Sequence, residues 1–333
     1  PPTDLLGAAG PGSLDHPLTY VFTRRAANPS EVVISDEEIL MRRVVDTPVQ
    51  RDVTVYGSAR MSTKLADSAI DDLLAVSGAR AEATSRMAGD LRSRATSAID
   101  GDTATAWQTP LNAPTAQTIS VASDEPYDID GLDLVLRRDG LHSVPTRISV
   151  SVNGGDPQSL VVPSVGVGDR SERGGTAEVT VPFEASGVTE LSLTIDEVDE
   201  ANSIDWFGGS TTVLPVGIVE LGLPVQAVVP EAGSALEQSC RDDLVTLDGV
   251  GVEARVSGTV GEALDGELLE VTGCAPATLE AGENRLTTGI GAETGFDVDR
   301  LALASAAGGA PGRDTMQEGP EPVTPAPANT TEM

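Results

Sequence analysis

Along most of this chain apolar residues recur at every second position, in short runs broken by Gly, Pro, Asn and Asp. That period lines up one face of a β-strand. Leu18, Tyr20 and Phe22 open the series, followed by Val32 and Ile34, then Val53 and Val55 ahead of Gly57. About four strands of this kind cannot bury both faces of a sandwich. The segment 15–79 is therefore expected to complete another sandwich, pairing with the C-terminal region around an interrupting module. One stretch changes period: Leu65, Ala69 and Leu73, joined by Ile70 and Leu74, make a helical stripe. Ser62 or Thr63 is the expected N-cap and Gly78 the expected stop, which gives one short connecting helix.

Further on, Ile119 alternates with Val121, and Leu132 with Leu134 and Leu136. Ile148, Val150 and Val152 lead into the turn Asn153-Gly154-Gly155; Val179, Val181 and Phe183, then Leu191, Leu193 and Ile195, continue the pattern. Short alternating strands with turns every ten or so residues predict an antiparallel sandwich, its loops clustered at the two ends. From 224 to 307 a second β region follows, with Val252, Ala254 and Val256, then Leu269 and Val271, then Phe296, Val298, Leu301 and Leu303. The change of phase after Val298 fits a bulge. Residues 1–14, rich in Pro and Gly, are expected to be a flexible leader, and 308–333 a disordered tail or linker.

The chain has 333 residues, enough for two or three domains with real cores. Its formal charge of −31 excludes nucleic acid as a partner and disfavours docking on anionic lipid. No run approaches the roughly 18 apolar residues of a membrane span, and no signal peptide is present, so the start at Pro1-Pro2-Thr3 is expected to be a processed end. The two cysteines, Cys240 and Cys274, fit no zinc or redox spacing. A disulfide between them would imply an oxidising, extracytoplasmic compartment; two buried thiols acting as small hydrophobes are the other reading.

The run Ser97-Ala98-Ile99-Asp100-Gly101-Asp102-Thr103-Ala104-Thr105-Ala106-Trp107 places two carboxylates and a hydroxyl in a tight turn. Hard cations such as calcium take six to eight oxygens from such donors. A plain Asp-Gly turn between strands uses the same residues. Leu132 to Gly140, containing Arg137, Arg138 and Asp139, and Gly217-Ile218-Val219-Glu220-Leu221 follow in order. Together these three pieces resemble the signature loop, central strand and closing strand of the discoidin, or coagulation factor 5/8 type C, fold. The resemblance covers about 80–223 and implies a jelly-roll β-sandwich module, with 224–307 as a second sandwich.

Asp139-Gly140-Leu141-His142-Ser143-Val144-Pro145-Thr146-Arg147 resembles a segment of the large α-(1→3)-arabinofuranosyltransferases of actinobacterial cell walls. So do Gly282 to Leu286, Gly295 to Leu301 and the paired cysteines. In that family carbohydrate-binding-type sandwiches follow a membrane-embedded catalytic domain. The resemblance implies a non-catalytic, extracytoplasmic region that binds or positions arabinan, arabinogalactan or a lipid-linked glycan beside that domain. A scaffold without glycan affinity and a glycoside hydrolase are the alternatives.

By the same resemblance calcium would be held by Asp100, Asp102 and Thr105, a carbonyl near Ser97, the Val219 carbonyl and Glu220. It would act as a staple between the first loop and the last strand. Trp107 occupies a core position of the motif. An arginine after the central strand bonds sugar hydroxyls in galactose-binding relatives, which points to Arg137 or Arg138; Asp139 and His142 share that loop. Trp206 or Phe207 would stack on a sugar face or cap the sandwich. The segment from Gln108 to Gln117 has no His/Glu pair of the galactose-binding kind.

Overall fold

The computed structural model describes residues 2–25, 37–204 and 208–312. They form two β bodies, the second of which is built from both ends of the chain.

The first body rests on two long strands, Thr118–Arg137 and Thr176–Asp199. The sequence pattern suggested a pair of strands in each case, and both pairs are continuous. Register shifts at Val181/Glu184, Ala185/Val188 and Val188/Glu190 bend the ribbon. Near one end Thr118–Ala122 pairs with Glu190–Thr194 and with Arg80–Ala83, while near the other Ile129–Arg137 pairs with 176–185 and with Gly217–Glu220. Val144–Val152 and Gln158–Val161 extend one side, and Trp107–Gln108 joins Gly217–Glu220 on the other. One sheet thus folds over itself into the two layers of a jelly-roll sandwich of the discoidin type, because bulges raise local twist and redirect strands. Inward positions alternate as the pattern requires: Ile119, Val121, Leu132, Leu134, Leu136, Val181, Leu191 and Leu193 enclose Trp107, which is fully buried.

In the second body Arg51–Met61 lies between Phe296–Ser305 and Leu269–Gly273. Leu18–Thr23 and Ala254–Thr259 flank this trio, and Ala235–Glu237 closes the edge. A four-stranded sheet of Arg42–Thr47, Gly282–Thr288, Val245–Leu247 and Val250–Gly251 accompanies it. Residues from 41 to 74 and from 236 to 303 share its core, so the first body interrupts the second. A register shift falls between Val298 and Arg300. Just past the bulge the Arg300 carbonyl lies against Gly57, where a Cβ would sit 2.0 Å from it. Cys240 and Cys274 form a disulfide.

Four details differ from the sequence expectation. The connecting helix is Asp67–Leu74, with Ala66 at its N-cap rather than Ser62 or Thr63. Ser62 instead pairs its N–H with the Gly295 carbonyl, which draws it into the second body. The helix stops at Ala75 in the left-handed region (φ 57°), and Gly78 joins a two-residue strand with Ala227–Val228. The leader expected to be flexible contains a helix, Pro2–Ala9, and a 3-10 turn, Gly10–Asp15. Its end is held by the buried guanidinium of Arg51, which donates to the carbonyls of Ser13 and His16 (3.2 Å) and to Ser305 Oγ (3.0 Å). A buried cation needs such acceptors, and the leader with the two residues after it supplies two of them. Three short helices, Pro2–Ala9, Val260–Leu264 and Gly291–Thr294, add to the connecting one. Residues 313–333, Trp206 and Phe207 lie outside the described residues.

Candidate functional site

Residues 95–98 form a 3-10 turn that delivers the chain into the Asp-Gly loop. Gly101 sits at φ 74°, a conformation open to glycine, and lets the loop reverse. Asp100 Oδ1 accepts the Asp102 N–H at 2.9 Å. Thr105 Oγ1 then lies 3.0 and 2.9 Å from the two Asp100 oxygens, 3.0 Å from the Asp102 carbonyl and 3.5 Å from the Ser97 carbonyl. A hydroxyl has one proton, so four acceptor oxygens crowd around one donor.

The closing strand completes the cluster from about 120 residues away in sequence. Leu221 N–H donates to the Ala98 carbonyl and Ala227 N–H to the Ile99 carbonyl, both at 2.9 Å. Val219 falls at the register shift between Ile218 and Glu220, which pair with Leu136 and Val135. The Glu220 carboxylate receives the Gly101 N–H, yet its Oε1 is buried without a hydrogen-bond partner. Burial first, and then the negative charges of Asp100 and Asp102, push its carboxyl up to about 7. Burial also raises Asp100. An orphaned carboxylate oxygen beside crowded acceptors suits a hard cation, which prefers oxygen donors. Ser97, Asp100, Thr105 and Glu220 border this point through the atoms just described, and Val219 precedes Glu220 on the closing strand. The Asp102 carbonyl faces Thr105 Oγ1, while its side chain is exposed, with Oδ1 accepting the Ala104 N–H at 2.9 Å in a local turn and its charge still acting on Glu220. Among the described residues no three His, Cys, Asp or Glu side chains converge as a metal cage, so backbone carbonyls are needed to fill a shell here.

The arginine loop is adjacent. Arg137 Nη2 donates to the carbonyls of Ala104 (2.6 Å) and Thr105 (3.1 Å), and Nη1 to Gly174 (3.1 Å). It therefore braces the back of the Asp-Gly loop against the Gly-rich segment 165–175. Arg138 Nε donates to the Val165 carbonyl at 2.7 Å. Asp139 is almost fully buried and accepts from Leu141 N–H, Gly174 N–H and His142 Nδ1. Burial alone would raise its carboxyl, but these hydrogen bonds outweigh burial and hold it below the ordinary value. His142 Nε2 lies 3.3 Å from Gln108 Oε1. Arg170 crosses the loop to the Asn202 carbonyl at 2.6 Å. Arg138, Asp139 and His142 thus fasten one loop to another, and Arg137 alone of the four reaches an opening.

That opening is a cavity of about 200 Å³ lined by Asp90, Arg92, Ala104, Thr105, Ala106, Gln108 and Arg137. Sequence reasoning missed Asp90, Arg92 and Gln108. Asp90 gives itself away as the cap of the 3-10 turn Leu91–Ser93, accepting Arg92 N–H and Ser93 Oγ; no spacing signal marks the other two. Trp107 is core, with its indole N–H on the Ser85 carbonyl at 3.0 Å.

The fold and this loop end define a carbohydrate-binding-type β-sandwich. Residues 76–234 match the family model described as arabinofuranosyltransferase D, third carbohydrate binding module. Those residues resemble that family of modules, and the chain as a whole resembles the carbohydrate-binding region of the same enzyme. It is 29% identical over 279 residues to the α-(1→3)-arabinofuranosyltransferase of Mycobacterium tuberculosis, covering 80% of this chain and 18% of that protein. The Mycolicibacterium smegmatis protein of the same description is 27% identical over 326 residues, covering 92% and 21%. The chain thus spans about a fifth of the length of these relatives. A cryo-EM structure of the mycobacterial enzyme shares the fold over 80% of this chain and 20% of its own, with a TM-score of 0.57 at 20% identity. Among the described residues no helix is long and apolar enough to cross a membrane.

Proposed function

We propose that this chain is a non-catalytic glycan-positioning region of a cell-wall arabinofuranosyltransferase, with calcium as a structural staple. Its ligand class is a furanose-rich cell-wall polysaccharide, arabinan or arabinogalactan, or a lipid-linked glycan acceptor. The membrane glycosyltransferase domain of a parent protein is its partner, on the extracytoplasmic side; the disulfide supports an oxidising compartment. The observation that carries the reading is the cavity itself. It places Arg137, Arg92 and Gln108 around a space of about 200 Å³ on a module of the carbohydrate-binding family. Guanidinium and amide groups there offer several donors to sugar hydroxyls. Calcium would be held by Asp100, Thr105, Glu220 and nearby carbonyls, where it supplies positive charge to a buried carboxylate and ties the loop to the closing strand.

A scaffold without glycan affinity is the second reading. The internal hydrogen bonding of Arg138, Asp139 and His142 favours it. Calorimetric titration with arabinofuranosyl oligosaccharides, with calcium and after chelation, separates the two. Binding that disappears in Arg137→Ala and Arg92→Ala supports recognition at this cavity. No heat in either condition, with a calcium-dependent rise in melting temperature, supports the scaffold.

A further inference from the structure

The residues leading into the metal loop are gripped from outside the module. The Asp67–Leu74 helix sits with the second body: Leu65, just before it, and its Ile70 and Leu74 are buried in that core. Its acidic residues reach the other way. Asp71 Oδ1 accepts from Arg94 Nε at 2.8 Å, and its second oxygen accepts from Thr96 Oγ1. Asp67 Oδ2 accepts the Ala95 N–H at 2.8 Å. Three consecutive residues, 94 to 96, are therefore tied to the helix. The next residue, Ser97, offers the carbonyl beside Thr105 Oγ1.

A second grip comes from Asp265, which follows the Val260–Leu264 helix of the second body. It holds Arg92 through both oxygens, at 3.0 Å from Nη2 and with Nε on the other. The Arg92 carbonyl in turn accepts Ser97 Oγ at 2.7 Å. Ser97 is thus approached along two routes, each beginning on a carboxylate outside the module's sandwich. Arg94 is 2% exposed, so its route runs through a dry interior where a hydrogen-bonded charge pair has narrow geometric tolerance.

We propose that the second body positions the metal loop of the first. Asp71, through Arg94 and Thr96, and Asp265, through Arg92, set the placement of Ser97 and hence the affinity of the loop for calcium. The proposal rests on the calcium reading of that loop. Groups that orient metal ligands without touching the metal change affinity by 10- to 100-fold when removed. Coupling of this kind is reciprocal, so calcium also strengthens the joint between the bodies.

The test is calcium calorimetry on the full chain, wild type against Asp71→Asn, Asp265→Ala and the core control Val256→Ala, each checked for native circular dichroism. About a tenfold loss of calcium affinity in Asp71→Asn is expected, with a smaller loss in Asp265→Ala that Asp265→Glu partly restores. The control should melt lower and bind calcium as the wild type does. Folded Asp71→Asn and Asp265→Ala proteins with wild-type affinity overturn the proposal while leaving the calcium reading intact. If Asp71→Asn does not fold, the half-exposed Asp265 pair decides the matter. A wild type that neither binds calcium nor melts higher in its presence overturns the calcium reading, and this proposal with it.

Discussion

The hydroxyl of Thr105 lies 3.0 and 2.9 Å from the two carboxylate oxygens of Asp100 and can donate its proton to only one. Asp100 Oδ1 also accepts the Asp102 N–H, so the Thr105 proton is free to go to Oδ2, whereas Oε1 of Glu220, whose carboxylate feels the Asp100 charge, is buried without a partner.

Glu220 gives this a pH dependence. Its folded-state value of about 7 lies above its ordinary 4.5. Below pH 4.5 the carboxyl is protonated in folded and unfolded chains alike and costs nothing; its stabilising contribution is lost as pH rises through 7. Discounted for partial solvent screening, the loss is on the order of 1 kcal/mol. In chelator, Glu220→Gln should therefore melt above the wild type at neutral pH and level with it in acid. Calcium should raise the wild-type melting temperature most above pH 7 and leave Glu220→Gln nearly unmoved. Parallel pH profiles for the two proteins in chelator would contradict this account.

Arg94→Ala removes a buried cation from Asp71, whose carboxyl burial already raises. Breaking a buried pair at one partner costs about 3–5 kcal/mol. Urea unfolding should show a loss in that range, and Arg94→Lys should not recover it, because the bond to Asp71 is made through Nε. A fragment starting at residue 76 lacks Asp67 and Asp71 and should show the same weakness. Near-wild-type stability of either protein would remove the helix from the module's supports.

Gly57→Ala should destabilise the second body by at least about 1–3 kcal/mol. The added methyl meets the Arg300 backbone carbonyl at 2.0 Å, and backbone moves less readily than a side chain. The denaturant midpoint measures the effect; an unchanged midpoint would mean that the bulge relaxes freely.

Reducing the Cys240–Cys274 bridge, which spans 34 residues, should cost about 4 kcal/mol in the chain-entropy model. The Cys240→Ser/Cys274→Ser double variant should therefore unfold at lower urea, while its calcium affinity stays near that of the wild type. Equal midpoints would place the stabilising contribution of this bridge elsewhere.

The legible part of the protein was whatever repeats locally. Alternation at Ile119/Val121, Leu132/Leu134/Leu136 and Leu191/Leu193/Ile195 marked the inward faces, because a strand's side chains take opposite sides in turn. The helical stripe from Leu65 to Leu74 was equally plain, though its cap was not: Ser62 is taken up by Gly295, a partner more than 200 residues away. The Asp-Gly loop and Glu220 could be named because their residue types sit at motif positions. The bracing roles of Arg137, Asp139 and His142 could not, since they depend on where 165–175 comes to rest.

The sequence by itself determined the all-β class, the apolar faces of its two β regions and the positions of the Asp-Gly loop and Glu220. The first two follow from local period, and the last from the resemblance of those residues to a family motif. Only the tertiary structure decided that the paired strands are continuous ribbons bent by bulges, that one β body interrupts the other, and that Asp71 and Asp265 hold the residues leading into the loop from the second body. Those outcomes hinge on contacts between segments far apart in the chain. Distance in sequence carries no signal for such contacts, because burial and charge pairing are settled only when the two bodies meet.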